Sequence, residues 1–313
     1  MPRSSRSLVS VEGDGRAGFL QGMLSNEIEA LAAGDGCRAL LLDNKGKVQA
    51  DLDLWVDSQS IVMACDAAVA GTMLDTLRKY VLATPVQFNE LDQELGAVGL
   101  IGPEAESLLQ SLDAETPPVS SYAHVMTRVG GDEVRLARTA GLGAEGVEIH
   151  ASHDALARVA ATLRDVAASD LPEVVGDVAE ILRVEAGVPR HGFELTGDHF
   201  PQEARLDDAV SYEKGCYLGQ ETVARIHYRG NVNRLLVGLR ADEPLTRGAS
   251  LFADESEVGS VTSAVVSPRR GPIGLAYVRR ELAAASTDLR LQEEDRESMR
   301  VQVSDLPFQL EGE

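Results

Sequence analysis

The sequence predicts an α+β protein: two related α+β lobes followed by a small C-terminal β-barrel. Three observations carry that prediction. Residues 14–112 alternate helical and strand-like runs; residues 124–168 repeat strands followed by a helix; and from Val232 the chain changes to short β-prone runs broken by Gly248, Gly259, Pro268 and Gly271-Pro272. At 313 residues and 44% apolar, the chain is long enough for two or three domains. The expected division is a two-lobed module over 1–231 and a barrel over 232–313. A sub-boundary falls near 113–121, where Pro117-Pro118 interrupts regular structure.

Within the first lobe, Phe19, Leu20, Met23, Leu24, Ile28 and Leu31 recur at helical spacing after Asp14-Gly15. Residues 37–43, 48–56 and 61–65 read as an antiparallel meander, its first turn at 44–47. The alanine-rich stretch 67–81 places Val69, Met73 and Leu77 on one face, a helix that can pack on that sheet. Strands at 84–91 and 96–102 and a short helix through Leu112 complete the first half. Strands at 124–129, 133–138 and 147–150 and a helix over 153–168 make the second lobe. A helix over 177–186 stops at Gly187-Val188-Pro189, and the polar loop 190–206 keeps Phe193, Leu195, Phe200 and Pro201 at intervals, as an ordered loop walling a pocket would. Six runs, at 235–239, 249–252, 257–266, 273–278, 287–291 and 299–303, form the barrel. The basic opening, residues 1–7, has no apolar run behind it and reads as a frayed terminus or a short presequence.

Composition narrows the function. With 29 basic against 50 acidic side chains the formal charge is −21, which repels a polyanion, so no direct nucleic-acid binding is expected. No run reaches the roughly 18–20 apolar residues that cross a bilayer, so no membrane partner is expected. Cys37, Cys65 and Cys216 form no CxxC pair and no Cys/His grid, which encodes no metal site and fits a reducing, cytoplasmic compartment. Cys37 and Cys65 sit in apolar runs and read as core.

The chemistry concentrates in Lys214-Gly215-Cys216-Tyr217-Leu218-Gly219-Gln220-Glu221, followed by Arg225, His227, Tyr228 and Arg229. Lys214 is near enough in sequence to stabilise a thiolate on Cys216, and the two glycines permit tight turns. Cys216 is either a reactive thiol or a buried, inert one. Arg225 and Arg229, four apart, hold an anionic ligand tail or bond to Glu221; Tyr217 stacks on a ring or packs the loop.

This eight-residue stretch resembles the K-G-C-[FY]-x-G-Q-E signature of the YgfZ family, folate-binding relatives of the glycine-cleavage T-protein (aminomethyltransferase) linked to iron-sulfur cluster assembly or repair and to tRNA modification. Residues 19–28, Arg183-Val184-Glu185-Ala186-Gly187, and the stretch from Gly259 through Ser267-Pro268 to Val278 are similar to further segments of these families. The resemblance implies that the two lobes form a folate-binding module around a central cavity, with tetrahydrofolate or a folate derivative as ligand and iron-sulfur client or assembly proteins as partners. It implies Cys216, Lys214 and Asp51 as the reacting group and Glu185, Arg225, Arg229, Tyr217 and Gln220 as ligand contacts. Glu185 is the expected acceptor for the pterin's paired N–H donors; its alternative is a helix-end carboxylate paired at the surface with Arg183 or Arg190. T-proteins carry two consecutive aspartates where this chain has Ala50-Asp51, one of which supports aminomethyl transfer. The departure weighs against classical aminomethyl transfer, which stands as the alternative function.

Overall fold

The computed structural model describes residues 6–81, 84–138, 146–167, 171–174, 176–292 and 298–309. The basic opening at 1–5 and residue 168, the expected end of the second lobe's long helix, lie outside the described residues. Contacts divide the chain into two units, residues 1–173 with 208–220 and residues 174–207 with 221–313. Residues 174–207 and 221–231, which the sequence division counts with the two lobes, thus belong by contact to the unit of the barrel.

The first unit holds two lobes. In the first are β1 (Arg6–Glu12), α1 (Arg16–Met23), β2 (Gly36–Leu42), β3 (Val48–Val56), β4 (Ser60–Asp66), α2 (Ala67–Tyr80) and β5 (Gln87–Glu90). Their strands make one sheet in the order β2-β3-β4-β1-β5. The meander is as expected, but β1 is inserted between β4 and β5, antiparallel to both. Its Ser7-Leu8-Val9-Ser10-Val11 core was hidden behind the basic opening. One sheet face packs Leu41, Leu52, Leu54, Ile61 and Met63 against Leu20, Met23, Met73 and Leu77 of the two helices. Each such fully buried Leu or Ile contributes about 1.5–3 kcal/mol.

The second lobe has β6 (Leu95–Ile101), α3 (Ala105–Gln110), β7 (His124–Val129), β8 (Asp132–Ala137), β9 (Gly146–Ser152) and α4 (His153–Val166), its sheet ordered β6-β9-β8-β7. The lobes share a local device. In the first, β4 ends at Asp66, whose carboxylate accepts from the Ala68 amide and caps the 14-residue α2; in the second, β9 ends at Ser152, whose hydroxyl accepts from the Ala155 amide and caps the 14-residue α4. Trp55, Leu8, Val62 and Ala64 on the second face of the first sheet pack with Ala137 of β8.

The second unit holds α5 (Asp177–Glu185), α6 (Gln220–Arg229) and six strands: β10 (Arg234–Ala241), β11 (Ser250–Ala253), β12 (Ser256–Ser267), β13 (Gly271–Arg279), β14 (Asp288–Gln292) and β15 (Met299–Ser304). The strands close in the order β10-β13-β12-β11-β14-β15, with β15 pairing back to β10. Closure leaves no strand edge unpaired. Val184 of α5 packs against Leu236, Leu275 and Phe308.

Two helices depart from the sequence reading. α1 stops at Met23 although apolar spacing continues to Leu31; Leu24 and Ile28 are still buried, but through an irregular segment. α6 has no counterpart in that reading, because only Val223 of its ten residues is buried and a solvated helix leaves no apolar stripe.

Candidate functional site

Residues 214–220 lie against the first lobe, and most of them are anchored there. Lys214 is 9% exposed, and its ammonium donates to the carbonyl oxygens of Gln21 (2.7 Å), Leu24 (2.8 Å) and Asn26 (2.6 Å). These are carbonyls at and beyond the end of α1, acceptors that a helix terminus leaves unmet. The Leu218 amide donates to the Gly22 carbonyl at 3.2 Å, and its side chain packs on the lobe's core. Gly219 has φ +81°, and a side chain there would run into the Asp43 carbonyl of the β2–β3 turn. Glycine is required here by both conformation and space. Gly215, by contrast, faces open space.

Lys214 therefore does not serve Cys216 as expected: its three N–H bonds go to main-chain carbonyls. Burial, partly offset by Glu27, pulls this ammonium down to about 8. Tyr217 is buried, its ring 5.2 Å from the Lys214 ammonium, and packs the loop. Burial pushes its phenol up to about 12. The Gln220 amide donates to the Tyr217 carbonyl and starts α6. Cys216 is left exposed by these anchors, and its thiol has no hydrogen-bond partner among the described residues. The other two thiols are withdrawn: burial pushes both Cys37 and Cys65 up to about 12.

Asp51 lies on the sheet face opposite the helices. Arg38 of β2 grips it with two parallel bonds, Nε at 2.9 Å and a terminal nitrogen at 2.6 Å, and also stands 3.6 Å from Asp208. Ala50 is fully buried on the helix-facing side, so a carboxylate there would point into the core; the carboxylate sharing a face with Asp51 is Asp53, two residues on. Asp53 accepts from Arg6 at 2.7 Å, Arg6 stands 3.8 Å from Glu148, and Glu148 bonds His150 at 2.9 Å. Burial alone would raise the Glu148 carboxyl, but Arg6 and His150 hold it down to about 2. Tyr122, 8% exposed, has a buried hydroxyl without a hydrogen-bond partner among the described residues. Burial, with the nearby Asp53, Asp51 and Asp208, pushes this phenol up. Arg38, Asp53, Arg6, Glu148 and Tyr122 escaped the sequence reading. Strand alternation flags Asp53; nothing local flags the others, Arg6 for example meeting Asp53 across 47 positions.

The remaining expected residues belong to the second unit. Glu185 ends α5, with its side chain 14% exposed; Oε1 accepts from the Ser267 hydroxyl at 2.5 Å, and Oε2 lies 3.8 Å from Arg270. The surface pairing with Arg183 or Arg190 does not form. Arg183 is instead saturated by Glu180 (2.7 and 3.0 Å), Glu194 (3.1 Å), Ser263 and the Val188 carbonyl, and Arg190 pairs with Glu180. The loop 190–206 is ordered by this network, with Glu194 fully buried. Arg225 and Arg229 are exposed on α6 and, among the described residues, bond neither Glu221 nor any other group.

These features define a class: a two-sheet module carrying paired carboxylates and an anchored cysteine loop, in one chain with a closed six-stranded barrel. Residues 3–214 match the GCVT N-terminal domain and residues 234–309 the glycine cleavage T-protein C-terminal barrel domain. The chain belongs to the glycine cleavage T-protein family. It is 28% identical over 291 residues to an aminomethyltransferase of Prosthecochloris aestuarii, covering 90% of this chain and 80% of that one. It is 30% identical over 287 residues to an aminomethyltransferase of Saccharopolyspora erythraea (89% and 78%). A chloroplastic protein of Arabidopsis thaliana is 26% identical over 292 residues, 91% of this chain, which spans 66% of that protein's length. The crystal structure of glycine cleavage system aminomethyltransferase T from Bartonella henselae superposes with a TM-score of 0.87 at 25% identity, covering 98% of this chain and 84% of that one. No helix among the described residues is long and apolar enough to cross a membrane.

Proposed function

We propose that this protein binds tetrahydrofolate or a related folate and acts as a YgfZ-type accessory factor in the assembly or repair of iron-sulfur proteins, with Cys216 as its reacting thiol. The observation that carries this reading is the contrast among the three cysteines. Cys37 and Cys65 are withdrawn, whereas Cys216 is held in solvent by a loop anchored on either side of it through Lys214 and Leu218. One thiolate cannot hold a cluster alone, so the remaining ligands come from a client or assembly partner. Glu185 fits a pterin. Its carboxylate is oriented by Ser267, is partly accessible, and keeps Oε2 free of hydrogen bonds to accept the ring's N–H donors.

Two measurements test it. Tetrahydrofolate should raise the melting temperature of the wild type and not of Glu185→Ala, since a ligand bound only by the native state must stabilise it. A stoichiometric maleimide at neutral pH should label Cys216 and spare the others. Equal labelling of all three cysteines, or a melting curve indifferent to every reduced folate, rejects the proposal.

The second reading is folate-dependent aminomethyl or methyl transfer, favoured by the aminomethyltransferase relatives and by Asp51, whose side chain keeps 18% of its surface exposed beside Arg38. It requires turnover with an aminomethyl or methylated donor, and that turnover should disappear in Asp51→Asn. Folate binding without turnover on any donor leaves the accessory role alone.

A further inference from the structure

The turn between β12 and β13 carries Arg270, which no motif singled out. Ser267, 3% exposed, organises that turn: its hydroxyl accepts from the amides of Arg269 (3.1 Å) and Arg270 (3.0 Å) and donates to Glu185 Oε1 (2.5 Å). The Arg270 guanidinium is thereby brought beside the same carboxylate, with Nε 3.8 Å from Glu185 Oε2. That separation is an ion pair without a hydrogen bond. Nε and one terminal nitrogen of Arg270 are buried and have no hydrogen-bond partner among the described residues. Arg183, on the same helix, leaves no such gap, being matched by four partners. A guanidinium with orphaned N–H groups next to a carboxylate with an unused oxygen presents a donor and acceptors side by side.

A pterin edge offers the complementary row: the 2-amino and N3–H donors, then the 4-oxo acceptor. We propose that Arg270 contacts the ligand directly, donating to the pterin 4-oxo group while Glu185 accepts from the two adjacent donors, and that it thereby selects 4-oxo over 4-amino pteridines. This rests on the folate reading above. In a 4-amino pteridine the 4-position becomes a donor facing the guanidinium and N3 carries no hydrogen, so the ligand loses a bond to Arg270, loses one of its two bonds to Glu185, and sets two donors against each other.

The test is calorimetric titration of the full chain, under anaerobic conditions, with tetrahydrofolate and with tetrahydroaminopterin, its 4-amino counterpart. The wild type should bind the 4-oxo ligand at least about tenfold more tightly. Arg270→Gln should lose about tenfold on the 4-oxo ligand and little on the 4-amino one, narrowing the gap to the part that the N3 mismatch at Glu185 keeps, whereas Glu185→Gln should weaken 4-oxo binding most. Arg270→Lys, which keeps the charge but not the planar fork, guards against misfolding. With an unchanged melting temperature it should also lose discrimination. Wild-type affinities for both ligands in the Gln and Lys variants would overturn the role of Arg270 and leave folate binding intact. A wild type that binds neither ligand would remove the folate reading and this role with it.

Discussion

The segments 183–194 and 214–220 place a cation, an intervening residue and a functional candidate in the same order: Arg183 then Glu185, and Lys214 then Cys216. In both, the cation is consumed by the fold. Arg183 is gripped by Glu180, Glu194, Ser263 and a carbonyl, Lys214 by three carbonyls. In both, the residue two positions on keeps capacity to act: Oε2 of Glu185, the thiol of Cys216. They differ in what the anchor costs. Arg183 answers a carboxylate with no solvent exposure, whereas Lys214 meets neutral main-chain oxygens, two of them only part-buried. A buried charge needs a counter-charge; an exposed helix end can turn to water.

That difference ranks three substitutions. Arg183→Met should cost about 3–5 kcal/mol in chemical denaturation, because it strands the Glu194 carboxylate in the core. A loss below about 1 kcal/mol would mean the Ser263 hydroxyl and the Arg190 amide, which also donate to Glu194, suffice to hold it. Lys214→Met should cost less, about 1–3 kcal/mol, since the freed carbonyls can partly rehydrate.

The same variant has a pH signature. The folded Lys214 is lowered to about 8 while an unfolded lysine titrates near about 10.4, so between those values the unfolded chain binds more protons. Wild-type stability relative to Lys214→Met should therefore rise across that window; a flat or falling difference contradicts the burial of the ammonium. Cys216→Ser should be smallest, within about 0.5 kcal/mol, because an exposed side chain without partners holds nothing together. A larger loss would make the loop, and not the thiol, the reason for this cysteine.

Much of the architecture was legible because it is written in local periodicity. The meander β2–β4, the helices α2 and α4 and all six barrel strands show it. β1 was not, since its pairing partners β4 and β5 lie 48 or more positions away and two of its seven residues are serine. α6 was not, because it buries one side chain. Of the expected site residues, Cys216 is exposed, the Glu185 side chain is 14% exposed, Tyr217 is packing, and Arg225 and Arg229 are free cations on α6 among the described residues. Asp51 is placed on a charged sheet face with Asp53 of the same strand, but its partner Arg38 comes from the neighbouring strand β2.

Sequence by itself determined the two lobes and the barrel and drew attention to the 214–221 motif, because apolar spacing and a dense motif are properties of neighbouring residues. Only the tertiary structure decided which charges are spent and which remain available. Lys214 sits in sequence beside Cys216, yet its ammonium is used nearly two hundred residues upstream at the end of α1. Arg270 is 85 positions from Glu185 and, among the described residues, has no hydrogen bond to satisfy its buried nitrogens. Hydrogen bonds and ion pairs are settled by distances of a few ångströms, and separation along the chain carries no information about those distances once the backbone has folded back on itself.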